Sequence, residues 1–316
     1  LPAGGVFMRV VVGTRGSKLA LWQTRWVVQQ LRVRWPSLTV EEQVIVTRGD
    51  EVRDRPLHQV GGQGVFVKQI EEALLAGEID LAVHSLKDLP TESPPGLVIA
   101  AVPPREDPRD ALVSRDGGAL SDLSVGAVVG TSSRRRAAQL RHLRSDLCIR
   151  DLRGNLDTRL ARLAAGQYDA VVMAAAGLAR LGAAAGQQRC FSVDEMVPAP
   201  GQGALAVQTR TDAAELRSRL VGLDDAVARL AVETERAFLH TVGGGCALPV
   251  GAHACLENDT LRLWGVLGMA DGQVLLRGQW QGPATTALAL AYGAGRELLE
   301  RFRAVTGRDF GVCLEE

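Results

Sequence analysis

The residue this sequence uses least among the basic ones is lysine: it has only Lys18, Lys68 and Lys87, against thirty-three arginines. A lysine that persists in such a chain stands out, because a compact ammonium and a forked guanidinium are not interchangeable. Aromatic residues are scarce as well, at 4%, and none interleave with the basic residues as base stacking on nucleic acid requires. Net charge is absent. Thirty-six basic residues balance thirty-six acidic ones, which excludes a general attraction for nucleic acid or an anionic membrane and makes any anion binding local. No apolar run approaches the roughly 18 residues that span a bilayer, and no basic stretch leads into an apolar signal core, so a soluble, cytoplasmic protein with no membrane partner is expected. The five cysteines, Cys148, Cys190, Cys246, Cys255 and Cys313, show no CxxC spacing. That argues against a disulfide framework or a zinc knuckle, and no His or Cys pairing supports a metal.

What is present is 316 residues that are 46% hydrophobic, enough for two or three domains with a substantial core. Apolar β-branched runs alternate with stretches of helical period through the first two thirds, the pattern of an α/β protein with mixed, mainly parallel sheets. Two pairs of similar segments suggest two related lobes. Val11-Val12-Gly13-Thr14 leads through Ser17 into Lys18-Leu19-Ala20, as Val128-Val129-Gly130-Thr131 leads through Ser133 into Arg134-Arg135-Arg136. Each reads as strand, glycine turn, hydroxyl N-cap and helix. Leu74 to Val83 likewise resembles Leu163 to Val172, each a helix ending at a glycine before a strand. Pro-rich crossings at Ala101–Pro108 and Val197–Gly203 would connect the lobes. The expected division is 1–103 with 203–222, then 104–202, then a small C-terminal α+β domain at 223–316. That last domain would hold an amphipathic helix from Asp224 to His240, two or three strands between Pro249 and Trp280, and a closing helix from about Thr286 to Val305.

Three clusters could carry chemistry. Arg134, Arg135 and Arg136 open a helix, Arg153, Arg159 and Arg180 fall near later element ends, and Arg15 and Ser17 occupy the matching turn of the first lobe. Guanidinium forks match carboxylates or phosphates, and a helix N-terminus favours an anion, so this set suits a polyanion; singly, each arginine could be solvated surface charge. The second cluster, His84-Ser85-Leu86-Lys87-Asp88, puts a base and an acid where a strand ends. The aspartate there could orient N–H groups, protonate a leaving amine or stabilise a cation, while the bland reading is a turn with a surface ion pair. In the third, Gly243-Gly244-Gly245-Cys246, three glycines leave one thiol approachable, although a flexible turn before a small buried cysteine gives the same pattern.

With these residues the sequence resembles the porphobilinogen deaminase family from about Met8 to the last helix. The resemblance is carried by Thr14-Arg15-Gly16-Ser17-Lys18-Leu19-Ala20, by His84 to Pro90, by Arg105-Glu106-Asp107-Pro108-Arg109-Asp110, and by Gly130-Thr131-Ser132-Ser133. It extends through Arg153-Gly154-Asn155, Gly201-Gln202-Gly203-Ala204 and Gly244-Gly245-Cys246. It implies two periplasmic-binding-protein-like lobes and a small third domain, in a monomer. It also implies a dipyrromethane cofactor joined by a thioether to Cys246, onto which four porphobilinogen units are condensed head to tail with loss of ammonia before hydrolysis releases hydroxymethylbilane. Carried over by position, Asp88 and Lys87 are the catalytic pair. Ser133, Arg135 and Arg136, with Asp88 and Lys87, would hold the cofactor; Arg15, Ser17, Arg153, Arg159 and Arg180 would hold substrate carboxylates. Gln59 and Gln63 depart from the lysines common in relatives, and Arg134 stands where relatives are often apolar. Two readings outside this family remain: a non-catalytic two-lobed anion-binding protein, and a thiol hydrolase pairing Cys246 with His240 or His253.

Overall fold

The computed structural model describes residues 9–47, 67–184, 186–243 and 248–310. Cys246, Cys313, Gln59 and Gln63 therefore lie outside the described residues. The chain divides into two compact units, one of residues 1–105 and 204–229 and the other of 106–203 and 230–316.

The first unit is built on a five-stranded sheet of β1 (Arg9–Thr14), β2 (Thr39–Val44), β3 (Leu81–Ser85), β4 (Leu97–Ala101) and a late strand, Leu205–Arg210. Their order is β2-β1-β3, then the late strand, then β4. The pairings β1–β2 and β1–β3 are parallel, and the late strand runs antiparallel to both neighbours. Alternation along the strands makes the two faces. Val10, Val12, Leu81 and Val83 pack with Val27, Val28 and Leu31 of α1 (Lys18–Arg34), whereas Val11 and Ala82 face Ile70, Ala73 and Leu74 of α2 (Lys68–Leu75).

The second unit repeats this plan. Its larger sheet holds β5 (Asp110–Ser114), β6 (Val128–Gly130), β7 (Cys148–Arg150), β8 (Ala170–Ala174) and β9 (Gln188–Cys190) in the order β7-β6-β8-β5-β9. Again two pairings are parallel and two antiparallel. In both sheets four strands share one direction, and the opposing strand is the one that follows a crossing segment, β5 here and Leu205–Arg210, labelled β10, in the first. One face packs α3 (Arg134–Leu143) through Val129, Leu140 and Val172; the other packs α4 (Leu156–Ala164) and α5 (Ala175–Leu181) through Val171, Leu163 and Leu178.

The correspondence reaches individual hydrogen bonds. Asp80 accepts from Val11 N at 2.8 Å and gives its own N–H to Val11 O, and Asp169 does the same with Val128. Arg210 reaches the remaining Asp80 oxygen at 3.5 Å, and Arg115 reaches that of Asp169 at 2.9 Å. A Cβ on Gly13 would sit 2.3 Å from Ile79 Cδ1, and one on Gly130 2.8 Å from Tyr168 Cδ1, so both turns need glycine for the same close approach. The segments singled out as similar in sequence are thus one repeated unit of structure.

The rest of the second unit is an antiparallel meander, β11 (Val250–Glu257), β12 (Thr260–Gly268) and β13 (Leu275–Pro283). After α6 (Ala214–Leu220) of the first unit, Leu261 and Leu263 pack on Phe238 of α7 (Ala226–Thr241) and on Leu298 and Phe302 of α8 (Ala287–Thr306). A turn at Asp271-Gly272 lies between β12 and β13. The tighter turn between β11 and β12 uses Asn258 and Asp259 at positive φ, residues whose short polar side chains tolerate that region.

Candidate functional site

In the first unit, β3 carries the chain to Ser85, and a single 3-10 turn, Leu86–Asp88, follows. Leu86 at its start and Leu89 just after it are buried, so the apolar residues pin the turn while Lys87 and Asp88 stay half-buried. Among the described residues Asp88 makes no hydrogen bond or ion pair; the surface pair with Lys87 allowed by the sequence does not form. Beneath the turn His84 Nε2 lies 3.0 Å from Gln208 Oε1, and Gln208 Nε2 donates to Glu71 Oε1 at 2.9 Å. Burial, relieved by the Gln208 contact and deepened by the nearby charge of Arg15, lowers the His84 pKa to about 4. Burial likewise raises the Glu71 carboxyl above its usual range. His84 is a neutral, hydrogen-bonded core residue. Ser17 caps α1, its Oγ accepting from Ala20 N at 3.2 Å, and Arg15 is half-buried in the turn before it.

In the second unit Ser133 caps α3, its Oγ accepting from Arg136 N at 3.4 Å. The helix start does not present three open guanidiniums. Arg135 and Arg136 are 4% and 6% exposed and converge on Asp110, the first residue of β5, which is fully buried. Arg135 Nη1 reaches Asp110 Oδ2 at 2.6 Å and Val197 O at 2.7 Å. Arg136 gives Nε to Asp110 Oδ1 at 2.8 Å and Nη1 to Val172 O at 3.0 Å. Gln202 Nε2 completes the set, donating to Asp110 Oδ1 at 3.0 Å and to Pro108 O at 2.8 Å. Burial alone would raise the Asp110 carboxyl, but the charges of Arg135 and Arg136, with hydrogen bonds from Arg135 and Gln202, outweigh it and hold the group far below the usual carboxylate range. Asp110 was part of a motif in the sequence but given no role there. The available signal was a carboxylate opening the otherwise apolar strand Asp110-Ala111-Leu112-Val113, since such a group is buried only with partners.

The remaining arginines are less engaged. Arg159 donates Nε to Gly154 O at 2.8 Å. Its pKa is lowered to about 10, chiefly by burial and then by the like charges of Arg136 and Arg153, with Asp151 opposing. Arg153 and Arg134 make no hydrogen bond or ion pair among the described residues. Arg180 donates to Gly203 O at 2.7 Å, and burial lowers its pKa against the pull of Glu106. Arg136, Arg153 and Arg159 thus form a group in which the like charges acting on Arg159 outweigh the opposing charge of Asp151. A ligand with several carboxylates fits such a group, because each would relieve repulsion among the cations while gaining charge-assisted hydrogen bonds. The Ser17 and Ser133 hydroxyls accept from the helix backbone and so keep their own protons for an acceptor.

The return segment near Gly201 is fixed by Glu235 of α7, which accepts from Gly201 N at 2.6 Å and Ala254 N at 2.7 Å. His253, one of the two bases considered for a thiol hydrolase, is buried, 3.4 Å from Glu235 Oε1, with its Nδ1 outside hydrogen-bonding geometry. His240, the other, is exposed at the end of α7.

Residues 10–218 match the family described as "Porphobilinogen deaminase, dipyromethane cofactor binding domain". The chain belongs to the porphobilinogen deaminase family. Residues 229–300 match that family's C-terminal domain. Curated relatives bearing the name porphobilinogen deaminase include one from Roseiflexus sp. strain RS-1, 52% identical over 292 residues, spanning 92% of this chain and 96% of the relative. One from Thermus thermophilus is 50% identical over 293 residues and one from Deinococcus radiodurans 48% over 295, each with the same two coverages. The periplasmic sulfonate-binding protein SsuA of Methylobacillus flagellatus matches at 16% identity and a TM-score of 0.39, over 75% of this chain and 70% of that one. Membership in an enzyme family disfavours the non-catalytic anion binder. Among the described residues no helix is long and apolar enough to cross a membrane.

Proposed function

We propose that this chain condenses four porphobilinogen molecules head to tail, losing one ammonia at each addition, and releases hydroxymethylbilane by hydrolysis. The primer is a dipyrromethane joined through a thioether to Cys246. When bound, it supplies a terminal pyrrole with a nucleophilic free α-carbon. The observation that carries this reading is the contrast between Asp88, which has no partner among the described residues, and the arginines around Arg159, whose like charges outweigh the pull of Asp151.

The arginines do the binding. Arg153 and Arg159, with Arg15 and Arg180, take the acetate and propionate arms of substrate, and Ser17 adds an O–H donor. Arg135 and Arg136 with Ser133 and Lys87 hold the primer's carboxylates. Asp88 does the electrostatic work: as the protonated amine of porphobilinogen leaves, positive charge grows on the substrate's methylene-pyrrole carbon, and a carboxylate against the pyrrole N–H groups stabilises it. Since Asp88 has no internal partner to release, that interaction needs no prior bond to be broken. The substrate's carbon–nitrogen bond breaks with its electron pair leaving on ammonia; the bound primer, which Arg135, Arg136, Ser133 and Lys87 would hold, would supply the carbon for the new carbon–carbon bond and the proton lost in exchange.

The functional division follows the notional domains 1–103 with 203–222, 104–202 and 223–316. The first carries Asp88, the second the arginines and the third Cys246; three separate sheets support it. The working form is a cytoplasmic monomer. The test is the stoichiometry of the purified protein with porphobilinogen: one ammonia for each porphobilinogen consumed and a linear tetrapyrrole product are expected. Porphobilinogen left unchanged would overturn the proposal.

A further inference from the structure

The duplicated fold provides its own control for the Arg135–Asp110–Arg136 cluster. The N-caps Ser17 and Ser133 align, so Leu19 and Ala20 occupy in α1 the places of Arg135 and Arg136 in α3. The strand registers set Leu205 opposite Ser85 and Asp110 opposite Ala174, and β3 and β8 align through Asp80 and Asp169, so Leu205 is the counterpart of Asp110. At the corresponding positions the first unit carries leucine, alanine and leucine, with Leu19 and Ala20 half-buried. Leu205 is 3% exposed there. The second unit sets three charges in the same corner.

Burying charges is costly, and well-packed apolar residues commonly replace an ion cluster with no loss of stability. The first unit folds with uncharged residues at these positions, a precedent for doing without the charges. What the cluster does provide is a fixed orientation. Asp110 takes Arg136 at both Nε and Nη2, 2.8 and 2.7 Å, and so holds the guanidinium plane. It takes Arg135 through Nη1. One carboxylate against two guanidiniums leaves one positive charge in excess, and that excess acts on Arg159.

We propose that Asp110 is a positioning residue for anion binding: it fixes Arg135 and Arg136 so that the charge they retain faces the substrate and primer carboxylates. Asp110 itself touches neither. The inference rests on the reading of the arginines as carboxylate ligands, and two variants separate the two claims. The first carries the other unit's solution, Asp110→Leu with Arg135→Leu and Arg136→Ala. Val197 O keeps the Gln139 Nε2 donor and Gln202 keeps Pro108 O. This triple variant is expected to fold, with a Tm within about 4 °C of the parent, and to lack the added mass of the dipyrromethane in its intact mass spectrum.

The second variant is Asp110→Asn, with Asp110→Glu carrying the same reading if the amide does not accumulate as folded protein. In the folded, primer-bearing fraction the KM for porphobilinogen is expected to rise about tenfold or more with kcat changed far less. A purely structural role would reduce the yield of folded protein and leave the KM of that fraction at the parent value. An unchanged KM in the folded fraction overturns the positioning role. So does a triple variant that loses its fold, because the cluster would then be needed for stability. A triple variant that folds with the added mass and the parent KM overturns instead the reading of the arginines as ligands, and the inference with it.

Discussion

The two five-stranded sheets share strand order, strand directions, the paired aspartate clamps of Asp80 and Asp169, and the serine caps. They differ in where each buries its polar groups. The first unit sets His84, Gln208 and Glu71 in a hydrogen-bonded row. The corresponding positions of the second are Met173, Val113 and Leu160, all within one apolar core. The second unit has the Arg135–Asp110–Arg136 cluster where the first has Leu19, Leu205 and Ala20. Beyond the strand ends the divergence is complete, since Asp88 in its 3-10 turn corresponds to Gly177 inside α5. The shared features hold the backbone, and the unshared ones carry the charge. Each unit carries apolar residues at the positions where the other sets its polar groups.

The largest effect expected from breaking this contrast is at Asp88, which has no counterpart. Asp88→Asn keeps the size of the side chain and the turn's apolar anchors but removes the charge, and turnover should fall on the order of a thousandfold with Tm unaltered. Turnover within a few-fold of the parent, measured as ammonia released per unit time, would remove Asp88 from the chemistry. A smaller change belongs to the second unit. Arg153→Leu or Arg159→Leu removes a charge-assisted contact of about 1.5 to 3 kcal/mol, so the KM for porphobilinogen should rise roughly ten- to a hundredfold while kcat moves less. Unaltered steady-state kinetics in both would mean that these arginines serve only the surface.

The smallest effect concerns stability. His84 has its pKa depressed from 6.5 to about 4, so the unfolded chain binds a proton over that interval and the folded chain does not. The contribution is fully present above pH 6.5 and is lost as pH falls towards 4, up to about 3 kcal/mol in all. Glu71, with its carboxyl raised, acts in the opposite sense just above its ordinary pKa, so the His84 contribution is cleanest immediately below pH 6.5. Denaturant unfolding followed with pH should show this slope in the parent. It should be missing from the variant carrying the second unit's residues, His84→Met with Gln208→Val and Glu71→Leu. A slope that persists there would place its origin elsewhere.

Much of this contrast was legible in the sequence. The glycine turns, serine caps and helix-to-strand junctions announced the repeat because they are local, and the backbone admits few residues at those points. The α/β pattern and the C-terminal strands followed from hydrophobic period. The unpartnered state of Asp88 and the apolar pinning of its turn were not legible, as they depend on strand β10 and its neighbours more than a hundred residues away. Nor was the role of Asp110. A carboxylate written beside an arginine in Arg109-Asp110 looks like a local pair, yet Arg109 pairs with Asp107 and Asp110 turns inward to arginines 25 and 26 residues on. The pairing of Arg135 and Arg136 with Asp110 was hidden for the same reason: spacing shows that a helix starts, not which residue faces it across the sheet.

The account as a whole requires a covalent primer, and intact-protein mass spectrometry measures it directly. The chain as isolated should exceed its sequence mass by one dipyrromethane, and Cys246→Ser should return to the sequence mass and lose activity together. A fully active chain at its unmodified sequence mass would contradict the account.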